Sequence, residues 1–398
     1  MSNKKKGFGV SRRQFISAMG AGAAGWLLNA CSKSSTGVSP DMLGKGTLNS
    51  TPSHPVTNPA GLNEYLAQVA VAPADNYNRT TIKNAVQNMF EALGGIDDIV
   101  KTSDKVGIKI NLTGGLLSNL SNISYPPYEL YLTHPELVRA VGELLLDAGV
   151  SKIYILESAY SDNDWDYEDP NSKLSYTGLA SYLNATIINL NNEPYTVLPV
   201  TNHFIYETLT FNTILSEIDC FISMPKAKNH YGAAVTHGMK NLVGTLPVPS
   251  GLYNNGASNR AAIHNHTVID GSNNNNLVRV ILDINTARPI NLVVNDAIMT
   301  TLKGEGPWNV RRPQSNYSQA KFFKLFASKD PVACDTIAVQ QINGYDPNAD
   351  TLPEPNGGTV INYLKIAESR IMGVNTLSDI EVIDTTQTTE IREKRLAS

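Results

Sequence analysis

The chain has 398 residues and 41% apolar content, enough for one large α/β domain or two smaller ones to bury a core. A formal charge of −4, with no long basic run in the body, argues against a nucleic-acid partner. The three cysteines, Cys31, Cys220 and Cys334, form no Cys-x-x-Cys pair, so neither a zinc ribbon nor an iron–sulfur cluster is expected.

Residues 1–31 read as an export signal. Lys4, Lys5 and Lys6 precede Arg12-Arg13, and a modest apolar run over 18–28 follows, the pattern of a twin-arginine (Tat) signal. Leu28-Asn29-Ala30-Cys31 resembles a lipobox, with Asn29 in place of the usual small residue, and makes Cys31 the candidate lipidation site. Residues 32–61 are rich in Ser, Thr, Pro, Gly and Asn and read as a flexible tether. The expected address is the periplasm or cell envelope, reached by the Tat pathway. The membrane contact is through the lipid alone, since no apolar run is long enough to span.

The folded body is expected over residues 62–398 as one domain. A first strand covers 68–72. A helix over 80–93 carries Ile82, Val86, Met89, Phe90 and Leu93 on one face and stops at Gly94-Gly95. A strand over 105–112 ends in Lys109 and Asn111. Residues 116–131 read as a long loop. Thr133 is the expected cap of a helix in which Pro135 takes the first turn and Glu136 suits the positive end of the dipole. Gly149 ends that helix, and the strand over 153–156 delivers Glu157. Strand, helix, strand with short links predicts a parallel sheet. The acidic run over 161–169 lacks the glycine and spacing of a calcium loop and reads as solvated. Strands follow over 186–190, 204–211 and 218–223.

Residues 224–247 read MPKAKNHYGAAVTHGMKNLVGTLP. Lys226, Lys228 and His230 alternate, so an extended backbone puts all three on one face. Gly232 breaks the extension, and a helix is expected from Ala233, with Thr236 stacked on Lys240 and His237 on Asn241. Its free N–H groups favour an anion. Beyond it, His264 and His266 fall in an Asn-rich loop. A helix over 277–287 ends near Asp283 and Asn285, and a strand over 290–294 leads to Asp296. A strand over 322–327 precedes Lys329, and Asp330 with Pro331 opens a helix that contains Asp335. A helix over 359–369 and an edge strand over 380–383 close the body.

These segments together resemble the domain of unknown function family 362. The matching residues are Lys226, Lys228, His230, Thr236, Lys240, Asn241 and Gly244, with Lys109-x-Asn111-Leu112, an Asp near Asp283 and the Gly-rich 304–307 segment. The resemblance runs from about Gln68 onward. It implies an α/β fold and a residue pattern but no reaction. Some relatives carry an added ferredoxin-like segment, which this chain lacks.

The fold class expected is α/β: a mostly parallel, doubly wound sheet flanked by helices, with antiparallel additions. Strand ends then gather Lys109, Asn111, Glu157, Lys226, Lys228, His230, Asp296 and Lys329 in the crevice outside the carboxyl edge. Two function classes stay open. One is an enzyme acting on a carboxylate- or phosphate-bearing small molecule. In it Lys109, Lys226, Lys228 and Lys240 stabilise charge, and His230 is the general acid or base. Glu157, Asp283 or Asp296 orients the imidazole or holds a labile divalent cation. The other is a non-catalytic, lipid-tethered binding protein for an anionic ligand or cofactor. A structural role for the polar crevice is the third option.

Overall fold

The protein is described here from a computed structural model, which covers residues 66–113, 115, 125–159, 161–248, 263, 276–302, 318–355 and 357–387. The signal, Cys31, the tether, His264, His266 and the 304–307 segment lie outside the described residues.

Eight strands form the central sheet. In chain order they are β1 (Ala67–Pro73), β2 (Lys105–Lys109), β3 (Lys152–Glu157), β4 (Thr186–Asn189), β7 (Cys220–Ser223), β10 (Leu292–Leu302), β11 (Ser318–Ser328) and β14 (Ile380–Asp384). Across the sheet they lie β14-β1-β11-β10-β7-β2-β3-β4. Only the two pairings of β11 are antiparallel, so the other seven strands share one direction. The α/β, mostly parallel reading holds. The inner strands β2, β3 and β7 are short runs of Val, Ile, Leu and Phe, as a sheet covered on both faces requires. Small antiparallel pairs stand outside it: β5 (Tyr195–Pro199) with β6 (Thr208–Asn212), β8 (Lys228–His230) with β9 (Ala234–Thr236), and β12 (Thr351–Pro353) with β13 (Thr359–Ile361).

Helices cover both faces. One face carries α1 (Arg79–Ala92), α2 (Pro135–Asp147) and α3 (Tyr176–Leu183). The other carries α4 (Gly238–Asn241), α5 (Asn276–Ala287), α6 (Pro331–Ala338) and α7 (Tyr363–Ser369). Strand residues alternate between the two cores: Val106, Ile108 and Ile222 pack with α1 and α2, whereas Phe221 and Val293 pack with α5 and α6. None of the helices among the described residues is long and apolar enough to cross a membrane.

Four local expectations are corrected. The helix expected from Ala233 begins at Gly238; before it the chain doubles back as the β8–β9 hairpin, with Lys228 opposite Thr236. Gly232 and Ala234 take positive φ values of 86° and 63° to make that turn. The cap of α2 is His134, whose Nδ1 accepts from the Glu136 N–H at 3.1 Å. Thr133 is used elsewhere, as described below. Residues 359–361 are strand β13, and Asn362 caps α7 after them. Within the acidic run, Asp164 and Asp169 are buried rather than solvated. Asp164 closes a capping box with Ser161, and Asp169 accepts from the N–H groups of Asn171 and Ser172.

Asp283 of α5 also departs from expectation. Its carboxylate accepts from the N–H groups of Phe204, Ile205 and Tyr206 at 2.7, 2.8 and 2.9 Å. It anchors the loop that enters β6, and burial pushes its pKa up. Asp283→Ala removes the carboxylate that these three N–H groups share. Chemical denaturation is expected to show a loss of about 3 kcal/mol, and a loss well under about 1 kcal/mol overturns the anchoring role.

Candidate functional site

The strand order reverses at β2. From β2 the chain moves outward to β3 and β4, then returns to the other side with β7 and β10. The carboxyl ends of β2 and β7 therefore flank a topological switch point, the usual ligand position in open α/β sheets. There β2 and β7 part. Ile110 N–H still donates to Leu156 O on the β3 side, while the chain after β7 crosses to β10 through the Lys226–Asp296 bridge.

Asn241 of α4 occupies the split. Its Nδ2 donates to Lys109 O and to Ser223 Oγ, both at 3.1 Å. Its Oδ1 accepts from Asn111 Nδ2 at 3.1 Å and more distantly from Lys109 Nζ at 3.5 Å. Lys109 and Asn111 are two apart and project together, as the spacing predicts. Lys109 Nζ also pairs with Glu157 Oε2 at 3.0 Å. Glu157 accepts in addition from Leu112 N–H at 2.9 Å and Ser158 N–H at 2.8 Å. Asn111 Oδ1 accepts from Lys228 Nζ at 3.0 Å, and Tyr131 O does so at 2.7 Å. One continuous chain of contacts thus runs Lys228–Asn111–Asn241–Lys109–Glu157, and all five side chains are buried.

A second cluster lies toward α1 and α2. Lys226 Nζ donates to Asp296 Oδ2 at 3.0 Å and to the Tyr77 hydroxyl at 2.5 Å, and that hydroxyl donates to Asp296 Oδ1 at 2.7 Å. Burial pushes the Lys226 ammonium down in spite of Asp296, and burial together with Asp296 holds the Tyr77 phenol well above its ordinary range. The Tyr77 ring stacks on His134 at 3.8 Å. Burial first, then Lys226 and Arg139, push His134 well below its ordinary value, so this imidazole is neutral. Thr133 ties the clusters to the strands: its Oγ1 accepts from Asn111 N–H at 2.9 Å and donates to Met224 O at 2.6 Å.

The candidate residues therefore fall into groups. Lys109, Asn111, Glu157, Lys228 and Asn241 join one network, and Lys226 and Asp296 form a neighbouring one. Thr236 faces Lys228 across the hairpin, with its hydroxyl buried and unpartnered. His230 ends β8 and is 5% exposed; Lys240 precedes Asn241 in α4 and is 7% exposed. Asp283 belongs to the β6 loop. Lys329 follows the reversed strand β11, so it leaves at the opposite edge and pairs with Asp98 at 2.7 Å. The sequence reading missed Tyr77, Thr133, His134 and Ser223. Tyr77 lies after β1 at the same carboxyl edge, and that position is its only sequence signal.

A family model described as "Domain of unknown function (DUF362)" matches residues 106–340. The chain belongs to this family. A relative, a thylakoid-associated protein of Synechocystis sp., is 25% identical over 296 residues, which is 72% of this chain and 83% of that protein. Two solved structures also match. A protein of Thermotoga maritima has 12% identity and a TM-score of 0.30, over 58% of this chain and 52% of that one. The lactate racemase apoprotein from Thermoanaerobacterium thermosaccharolyticum has 14% identity and a TM-score of 0.32, over 59% of this chain and 52% of that one. The chain thus spans about half the length of either solved structure.

Gly244 of the family pattern has a physical reason to be glycine. A Cβ there lies 2.6 Å from both Glu157 Oε1 and Lys109 Nζ. Gly244→Ala is expected to push this buried pair apart and to cost about 2 kcal/mol in a denaturant titration. A variant as stable as the parent overturns the tight fit of Gly244 against the pair.

Proposed function

We propose that the protein is an exported, lipid-anchored member of the family whose switch-point crevice binds a carboxylate- or phosphate-bearing small molecule. The observation that carries this reading is the buried Lys228 ammonium, held by Asn111 Oδ1 and Tyr131 O at the carboxyl edge where the strand order reverses. In this reading Lys109–Glu157 and Lys226–Asp296 are the fixed frame. Lys228, Lys240 and Thr236 meet the anion, with Asn111 and Asn241 setting their positions. Ammonium groups in a site of low water content are effective partners for carboxylate or phosphate oxygens.

Whether the bound molecule is turned over divides the two readings. In the enzyme reading His230 moves the proton and Lys228 stabilises developing charge. The non-catalytic reading is favoured by one feature: the Glu157 carboxylate already accepts from Lys109 and from two backbone N–H groups. A base so occupied must break these bonds to act, so Glu157 serves the frame rather than the chemistry. A labile divalent cation is not required by either reading.

Inorganic phosphate is the first probe. For the parent protein, phosphate at about 100 times its Kd is expected to add about 2.7 kcal/mol of stability. Lys228→Ala is expected to leave the phosphate-free protein within about 1 kcal/mol of the parent and to remove that gain. If Lys228 is instead one member of a purely structural network, the variant loses about 3–5 kcal/mol without phosphate, and its response to phosphate is unchanged.

For export, Arg12→Lys with Arg13→Lys is expected to leave precursor in the cytoplasm, and Cys31→Ser to release soluble periplasmic protein. Fractionation with immunoblotting reads both. Normal export of the double variant, or membrane retention of Cys31→Ser, overturns the corresponding half.

A further inference from the structure

The first N–H groups of α4 need acceptors, and the residue before the helix supplies none. His237 is committed elsewhere: its ring sits between Asn295 Nδ2 at 3.0 Å and Asn343 Oδ1 at 2.8 Å. The acceptor comes from α6. The Asp335 carboxylate, fully buried, takes the Gly238 N–H on Oδ1 at 2.7 Å and the Met239 N–H on Oδ2 at 2.9 Å. Gly238 permits the approach, since a Cβ there lies 2.7 Å from Val293 Cγ2 and 3.0 Å from Asp335 Oδ1. A carboxylate distant in sequence therefore sets the direction of α4. That helix carries Lys240 and Asn241, and Asn241 bridges Lys109, Asn111 and Ser223.

We propose that Asp335 is the positioning residue of the anion site: it holds α4 through both carboxylate oxygens, and anion affinity depends on that hold. The inference rests on the anion-binding reading above. An ionised carboxylate accepts with both oxygens, whereas a protonated one accepts with one and carries an O–H on the other. Protonation therefore gives up one of the two bonds to α4. Burial pushes the Asp335 carboxyl up to about 7, against the two N–H bonds, so the change falls near neutral pH. Among the described residues the titratable groups around it are Asp330 and Cys334 on α6, Tyr363 on α7, and His237 and Lys240 beside and within α4. Burial holds the Cys334 thiol and the Tyr363 phenol protonated and lowers His237 to about 4, so these three stay neutral through the window. Asp330, raised to about 6, is spent on the N–H groups of Val332, Ala333 and Val374.

The sign separates Asp335 from a histidine that touches the anion. Protonating such a histidine strengthens anion binding as pH falls, whereas protonating Asp335 weakens it. Sulfate does not titrate in this range and is the probe. Calorimetric titration of the full-length parent and of Asp335→Asn is done at about pH 6 and about pH 8. At the higher pH the variant is expected to bind sulfate about tenfold more weakly, and at the lower pH the two are expected to converge to within about twofold. A parent-to-variant ratio that is the same at both pH values overturns the inference and leaves the anion reading standing. A parent that binds sulfate at neither pH overturns both. If Asp335→Asn does not fold, amide exchange in the parent decides. Protection of the Gly238 and Met239 amides, corrected for intrinsic exchange, is expected to fall from the higher pH to the lower. Unchanged protection overturns the inference.

Discussion

Everything at the carboxyl edge depends on how the protein closes the gap where β2 and β7 separate. Up to Lys109 and Ser223 the two strands are in register. Beyond that point one backbone leans on β3 and the other on β10, and the last polar groups between them face a low-dielectric interior. An unpaired buried donor or acceptor there costs about 1–3 kcal/mol. One primary amide answers most of this. Asn241 has two donors and an acceptor oxygen with two lone pairs, and Lys109 O, Ser223 Oγ, Asn111 Nδ2 and Lys109 Nζ engage all of them. Aspartate has no donor for Ser223 Oγ or for the second lone pair of Lys109 O, whose other bond comes from the Met224 N–H at 2.8 Å. Leucine has neither donor nor acceptor. The position is therefore specified by hydrogen-bond inventory, with size secondary.

The ammonium groups impose a second constraint. Lys109 and Lys226 are each drawn out of water, and each has a carboxylate at 3.0 Å. Such pairs add little net stability over apolar residues of similar size, yet removing one partner is expensive. Their effect is geometric. Glu157 is fixed by Lys109 and two N–H groups, and Asp296 by Lys226 and the Tyr77 hydroxyl. The carboxyl edge is thereby locked in one arrangement. His134, neutral and stacked on Tyr77, extends that lock to the first turn of α2.

The strand ends were legible in the sequence because buried parallel strands are short apolar runs. A polar residue at the end of such a run marks the carboxyl edge, as at Lys109, Asn111 and Glu157; Asp296 follows the apolar start of β10, which runs on to Leu302. Direction across the sheet was not legible. Lys329 also follows an apolar run, but β11 is the one reversed strand, and that fact lies in pairing alone. The extended reading of Lys226 to His230 fits β8, whereas the sequence places a helix over what is β9, because a short apolar run such as Ala233, Ala234 and Val235 does not report its period. Thr133 was read as a cap from local spacing. Its hydroxyl is spent instead on Asn111 and Met224, distant in sequence, and a histidine took the capping role. Asp283 and Asp335 illustrate the same limit: both serve backbone N–H groups far along the chain, one in the β6 loop and one in α4.

The alternation of side chains along a strand divides the polar centre in a way that bears on any ligand. Lys226 and Asp296 meet Tyr77, on the face of α1 and α2, whereas Lys109 and Asn241 meet on the face of α4 and α5. The sheet itself stands between the two clusters. Lys228 lies past the strand ends, where the sheet no longer separates the faces. Its ammonium donates to Tyr131 O on one side and to Asn111 Oδ1 on the other. At this junction of the two faces the Lys228 side chain is fully buried. The two acceptors are a backbone carbonyl and the amide oxygen of Asn111, which is itself bonded to Asn241, so a change at Lys228 is felt first in the Lys109 network, and the proposed anion site is tested most directly there.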